Sequence, residues 1–221
     1  MLLLLATATA ALASPLNPWG SATAPGTALV NPYLYVYPDA VNPILYGSVG
    51  VSKRVDVYFG FGESLPSGGG GTGSLEFFPR FFLDPSVALA AHVYWTPGVD
   101  GVVVAPEVHV NHTWDRFAIT ANAGWKPILG APAFSAGSLA VLAAPELRLN
   151  ERFSVYVEAD PTFSLVGDPV AMLVVPGFGA TLDPGSHHGL SVGLQIPVLP
   201  SVGPASFGAW YCFTFPVKAQ E

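Results

Sequence analysis

Apolar residues in this chain return at every second position, in step with a recurring proline. Pro79, Pro106, Pro145 and Pro176 open the stretches P-R-F-F-L-D, P-E-V-H-V-N, P-E-L-R-L-N and P-G-F-G-A-T. Within each, apolar side chains broadly alternate with polar or small ones. Period two marks a β-strand whose two faces meet different surroundings. Four such strands with one register relative to their ends predict a single, repetitive, closed antiparallel sheet.

The alternation decides the fold class once composition is added. Charged residues are 10% of the chain, mean hydropathy is +0.47 and 51% of residues are hydrophobic. A soluble domain carries about 25% charged residues. A helical membrane protein needs apolar runs of about 18 residues or more. Beyond the N-terminus, Gly, Pro and polar residues break every such run. What remains is an all-β transmembrane barrel, antiparallel and up-and-down, because only a closed sheet satisfies its backbone polar groups in lipid without helices.

The first residues, MLLLLATATAALAS, have an apolar core followed by Ala11-Leu12-Ala13, an A-x-A cleavage pattern. Residues 1–13 are read as a signal peptide, 14–26 as an N-terminal periplasmic segment and 27–221 as one barrel. The single cysteine, Cys212, excludes an intramolecular disulfide, and the net charge of −7 argues against nucleic acid as a partner.

Twelve strands are expected, near 27–37, 43–51, 55–62, 74–83, 87–96, 102–110, 116–125, 138–149, 153–160, 169–182, 189–197 and 206–215; ten is the alternative count, if the first or the eleventh is misread. Connections after even strands are tight: Ser52 to Arg54, Asp84 to Ser86, Asn111 to Asp115, Asn150 to Arg152 and, slightly longer, Asp183 to His188. Those after odd strands are longer, as in Glu63 to Gly73, Lys126 to Gly137 and Pro161 to Asp168. Short turns on one rim and longer loops on the other are the pattern of an outer-membrane barrel with its termini in the periplasm.

Opposed residues in an antiparallel pair share a face. Register carried through the tight turns collects Val55, Val57, Phe59, Phe61, Phe77, Phe81, Leu89, Val104, Val108, Phe117, Leu147, Val155, Leu190 and Leu194 on one uncharged face. The other face holds the candidate lumen residues Asp56, Glu76, Arg80, His92, Glu107, His109, Asn122, Glu146, Arg148, Glu158, Asp160 and Gln195. A soluble sandwich or lipocalin-like binder is the competing architecture. It would place Lys-rich positions towards water, and Lys is absent from these strands. Trp95 and Trp125 at the loop ends, with Phe117 and Phe153 at the turn ends, fit interfacial girdles. The prolines predict local bulges or loosened hydrogen bonds, because Pro donates nothing to a sheet ladder.

The last strand reads F-G-A-W-Y-C-F-T-F. Phe207, Tyr211, Phe213 and Phe215 resemble the C-terminal assembly signal of bacterial outer-membrane proteins, although Pro216 to Glu221 follow where that family ends on an aromatic. Tyr46 to Gly62, Y-G-S-V-G-V-S-K-R-V-D-V-Y-F-G-F-G, resembles transporter-like outer-membrane barrels, including those assigned to the meta-pathway of phenol degradation. The resemblance implies export to the Gram-negative outer membrane and uptake of small apolar solutes. The partners expected are outer-membrane lipid and lipopolysaccharide, the barrel-assembly machinery and a small solute.

Glu107 and Glu146 each follow a repeat proline, as do Arg80 and Gly177. If the repeat sets height, these positions form a belt. With Arg148, Glu158 and Asp160 nearby, the belt reads either as a charged constriction favouring cations or as a salt-bridged plug. His92, His109 and Glu107 could form a metal or acid–base site, against the plainer reading of hydrogen-bonded polar filler. His187-His188 reads as a solvated turn and Gly68 to Gly71 as a flexible loop. Tyr33, Tyr35, Tyr58, Tyr94 and Tyr156 are candidates to fill the lumen. Serine and histidine nowhere pair at strand spacing, so a lipid-modifying enzyme is the weakest reading, and no catalytic residue, metal or cofactor is assigned. The functions carried forward are a channel or transporter for small solutes, and a structural or surface-interaction barrel with a closed lumen.

Overall fold

The computed structural model of the protein describes residues 23–98, 102–129, 135–164, 169–184, 187–198 and 206–216. Residues 1–13 lie outside these. The chain forms β1 (Thr27–Val36), β2 (Ala40–Ser52), β3 (Val55–Pro66), β4 (Thr72–Asp84), β5 (Val87–Trp95), β6 (Val102–Trp114), β7 (Phe117–Leu129), β8 (Ser135–Arg148), β9 (Phe153–Ser164), β10 (Pro169–Pro184), β11 (His187–Pro197) and β12 (Ser206–Pro216). Each strand pairs antiparallel with its sequence neighbours, and β1 closes the barrel against β12. The count is twelve, and the first and eleventh strands are both present.

Side chains close the tight turns. Asp84 Oδ1 accepts from the Ser86 and Val87 N–H groups at 2.6 and 3.0 Å, and Asn150 Oδ1 accepts from Arg152 and Phe153 at 2.8 and 3.0 Å. Asp and Asn favour such turns because their short side chains cap backbone donors two or three residues on. Two expected turns are strand instead. β6 continues past Asn111 to Trp114, leaving Asp115 (φ 48°) and Arg116 as the reversal. His187 and His188 open β11, opposite Pro184 and Asp183. The longer loops are also trimmed: β3 runs to Pro66 and β4 starts at Thr72, so the glycine loop spans Ser67 to Gly71.

The barrel is inverted relative to a soluble protein. Phe59, Phe61, Phe77, Phe81, Leu83, Leu89, Leu147 and Val157 stand exposed on the outside, while Asp56, Arg80, His92, His109 and Glu158 inside are at most 1% exposed. Water as the outer solvent would reverse that arrangement; a hydrocarbon solvent dictates it. Trp95, Trp125, Phe117 and Phe153 are all on the exposed face.

The prolines open the ladder without bulging it. Beside Pro79 the β4–β5 pairing passes from Phe77–Val93 to Arg80–Ala90. Beside Pro106 the β6–β7 pairing passes from Val103–Ile128 to Glu107–Gly124. Pro145 and Pro176 interrupt β8–β9 and β10–β11 in the same way, between Ala143–Ala159 and Glu146–Tyr156 and between Val174–Ile196 and Gly177–Gly193. Each proline keeps its pairing on the other side, opposite Val57, Ala91, Ile119 and Val157 respectively. A missing N–H affects one neighbour only, which is how a closed sheet accommodates four of them.

The four prolines do not share one level. Pro79 and Pro106 lie in one row through Ala91, and Pro145 and Pro176 lie in another through Val157. Followed from Pro145 through Ile119, the second row meets β6 at His112, not at Pro106.

Candidate functional site in the barrel lumen

The β3–β4 register sets Asp56 directly opposite Arg80. Both point inward, and a fork-shaped guanidinium matches a carboxylate in two places. Arg80 Nη2 donates to Asp56 Oδ2 at 2.7 Å and Nε donates to Oδ1 at 2.9 Å. The Thr23 N–H donates to Asp56 Oδ2 at 2.8 Å, and the Thr23 and Ser48 hydroxyls lie 2.6 Å apart. The guanidinium also sits 4.4 Å from the Tyr58 ring centroid and 4.9 Å from that of Phe82, and Nη2 donates to the Tyr58 hydroxyl at 3.2 Å. Both side chains are fully enclosed.

A second network runs across β2, β4, β5, β6 and β7. Tyr46 donates to Glu76 Oε2 at 3.2 Å, and that oxygen is 3.3 Å from His92 Nε2. His92 Nδ1 is 3.2 Å from Glu107 Oε1, and Glu107 Oε2 is 2.9 Å from His109 Nε2. The Tyr94 hydroxyl lies 2.6 Å from His92 Nδ1, and Lys126 Nζ approaches that hydroxyl at 3.4 Å. A single carboxylate thus joins the two histidine rings. Phe78 links the networks, stacked on Tyr58 at 4.7 Å and tilted on His92 at 4.0 Å between centroids.

An aromatic shelf of Tyr33, Tyr35, Tyr46, Tyr58, Phe78 and Tyr156 completes the site. Glycines opposite large side chains let some of them lie flat on the wall. Tyr46 faces Gly60, Glu107 faces Gly124 and Tyr156 faces Gly177 across the ladder. A Cβ on any of these glycines would collide with the facing side chain. Tyr156 lies over Gly177 and donates to the Val192 carbonyl at 3.3 Å.

Of the sequence candidates, Asp56, Glu76, Arg80, His92, Glu107 and His109 are brought together in these two networks. Glu158 is fully buried on β9, and Asn122 is half-buried. The expected belt does not form. Arg80 pairs with Asp56, not with a repeat-position glutamate. Glu146 is half-buried and Arg148 exposed, and among the described residues Glu146 pairs with no cation. The reason is the proline stagger: β6 runs to Trp114, so equal spacing from a repeat proline is not equal spacing from the turn. Asp160 and Gln195 are in β9 and β11, and their side chains lie outside the described residues.

Sequence reasoning missed Thr23, Ser48, Tyr46 and Lys126. Ser48 and Tyr46 were legible by parity alone, two and four residues before Gly50 on the inward face. Thr23 had one signal, the Pro25-Gly26 pair that reverses the chain into β1.

The fold is that of the porin-like outer-membrane barrels. A KdgM porin matches with a TM-score of 0.64 at 5% identity, covering 85% of this chain and 99% of that one. The COG4313 outer membrane channel from Pseudomonas putida F1 matches at 0.61 and 12% identity, covering 92% and 100%. The NanC porin matches at 0.60 and 9% identity, covering 85% and 98%. KdgM has also been solved in complex with disordered oligogalacturonate. No protein-family model and no curated protein sequence matches the chain.

Proposed function

We propose that this protein is a channel for small solutes in the outer membrane of a Gram-negative bacterium. One observation carries the reading: ionisable and hydrogen-bonding side chains are gathered inside a barrel whose outside is apolar. A wall designed only to sit in lipid has no need to enclose Asp56, Arg80, His92, Glu107, His109 and Glu158, each of which is costly to desolvate. Biogenesis then uses a cleaved signal at residues 1–13 and recognition of the aromatic strand Phe207 to Phe215 by the barrel-assembly machinery, in a membrane of lipid and lipopolysaccharide.

The solute class follows from the balance of charge. On the inward face Asp56, Glu76, Glu107, Glu146 and Glu158 stand against Arg80, Lys126 and Arg148. A polyanion such as the oligogalacturonate of the KdgM complex needs a track of Arg and Lys, which the described residues of this wall do not form. Neutral and cationic solutes with flat apolar surface suit the tyrosine shelf and the carboxylates better. The test is single-channel recording in planar bilayers under a salt gradient. Cation preference is expected, reduced when Glu76 and Glu107 are both changed to Gln. Anion preference, or the absence of any conductance, would refute the proposal.

A closed, structural barrel is the second reading, favoured by one observation. Tyr35 and Tyr58 project inward yet are 0% exposed.

A further inference from the structure

The rim that carries the tight turns holds an arrangement that strand ladders disfavour. One step beyond the Phe117–Leu147 pair, the β7–β8 ladder sets Arg116 against Arg148, and the Arg148 N–H donates to the Arg116 carbonyl at 2.7 Å. Opposed residues share a face with Cβ atoms roughly 5 Å apart, and like charges placed so repel each other. Arg148 also pairs with Ser154 on β9. Arg152 lies in the turn between them, its N–H donating to Asn150 Oδ1 at 2.8 Å. Three arginines thus meet at one sector of the rim, and all three are exposed. Arg80, by contrast, is enclosed and joined to Asp56 at 2.7 Å. Among the described residues none of the three rim arginines forms an ion pair. The nearest carboxylates along the chain, Asp115, Glu146 and Glu151, join none of them.

The outer face fixes the depth of this cluster. Trp114 and Phe117 stack with ring centroids 5.9 Å apart, and Phe153 and Phe178 stack at 5.5 Å. Leu147 and Leu149 of β8 lie between the two stacks, and all six side chains are exposed. An aromatic row at the strand ends marks the boundary between hydrocarbon and water. The arginines stand at the end of this row, at the level of lipid headgroups. Planar guanidiniums hold phosphate oxygens through paired hydrogen bonds, where a lysine would act as a point charge. This sector is built from arginine alone.

We propose that Arg116, Arg148 and Arg152 form a phosphate-binding site at the tight-turn rim. A bound phosphate removes the repulsion between Arg116 and Arg148 and joins the β6–β7 turn to the β8–β9 turn. Two sources present this chemistry: the phosphodiester of a phospholipid in the adjacent leaflet, and a soluble phosphate at the barrel mouth. The site shares no residue with the two lumen networks, and it stands whether or not the barrel conducts.

The test uses the full chain folded in a nonionic detergent, in chloride buffer of fixed ionic strength. Inorganic phosphate and dihexanoyl phosphatidylglycerol are titrated separately by isothermal calorimetry. Saturable binding of at least one is expected. Arg116→Gln with Arg148→Gln should weaken it by about tenfold or more, and Lys53→Gln with Arg54→Gln, at the β2–β3 turn, should leave it unchanged. Phosphate binding alone assigns the site to a soluble anion, lipid binding alone assigns it to a headgroup, and competition between the two confirms one shared site. Arg148→Lys keeps the charge and should still weaken binding, through loss of the paired hydrogen bonds. In urea unfolding, phosphate should raise the midpoint of the parent and not that of the Arg116→Gln, Arg148→Gln protein. Without phosphate that double variant should be at least as stable as the parent, because the like-charged pair is gone. Saturable binding of neither ligand overturns the site. So does binding that the Arg116 and Arg148 substitutions weaken no more than the Lys53 and Arg54 substitutions do.

Discussion

Removing Asp56 should be among the most damaging single changes in the barrel. Asp56 accepts three hydrogen bonds, two from Arg80 and one from the Thr23 N–H, at 2.7 to 2.9 Å. Asp56→Ala removes the carboxylate opposite the enclosed Arg80 guanidinium and takes the acceptor from the Thr23 N–H. Breaking a buried ion pair by removing one partner costs about 3–5 kcal/mol. The Tyr58 and Phe82 faces remain with Arg80, but a cation–π contact contributes only about 0.5–2 kcal/mol and does not replace the carboxylate. Exchanging both partners for apolar residues behaves differently, because a buried pair replaced by packed hydrophobic side chains is often neutral. Asp56→Leu with Arg80→Met should therefore recover most of the loss. The assay is urea unfolding in lipid vesicles, followed by tryptophan emission and heat-modifiable gel mobility. An Asp56→Ala protein within about 0.5 kcal/mol of the parent, the usual range for surface substitutions, would refute the buried-pair reasoning.

Three further outcomes are expected. Leu89→Arg, on the outer face of β5, should lose about 2–4 kcal/mol of folding free energy in vesicles, while Leu89→Phe stays near the parent; equal stability of the two would contradict the lipid-facing assignment. Gly177→Ala should destabilise by about 1–3 kcal/mol because its Cβ enters the Tyr156 ring, and Tyr156→Leu should relieve it; Gly68→Ala, which meets nothing within 4 Å, serves as the neutral comparison in the same unfolding assay. Pro79→Ala restores an N–H beside the opening between Phe77–Val93 and Arg80–Ala90, so the amide of residue 79 should show slow hydrogen exchange in that variant; exchange as fast as in a loop would show that the opening has another cause.

The faces of the strands were legible because alternation is a local property. Each residue's neighbours two places away report its side of the sheet, and tight turns of known length carry that parity into the next strand. Phe59 outside and Asp56 inside needed nothing more. Which inward residues meet was not legible, because that depends on register across long connections. The residues from Glu63 to Gly73 hide the offset that puts Asp56 opposite Arg80. The proline repeat misled for a related reason. It is regular along the chain, but strands in a barrel are staggered, so Pro145 lies in the row of Pro176 and not of Pro106. Thr23 was missed because a reversal into the lumen leaves no periodic trace. Only the Pro25-Gly26 pair records it, and that pair fits an external turn equally well.

The central claim is that this sheet is a closed barrel with lipid outside and polar groups within. Spin labels placed singly from Val55 to Gly62 in β3, in lipid bilayers, test it most directly through their accessibility to dissolved oxygen, which concentrates in the hydrocarbon. Labels at 55, 57, 59 and 61 should show high oxygen accessibility, and those at 56, 58, 60 and 62 low accessibility. A flat profile, or maxima at the even positions, would contradict the account.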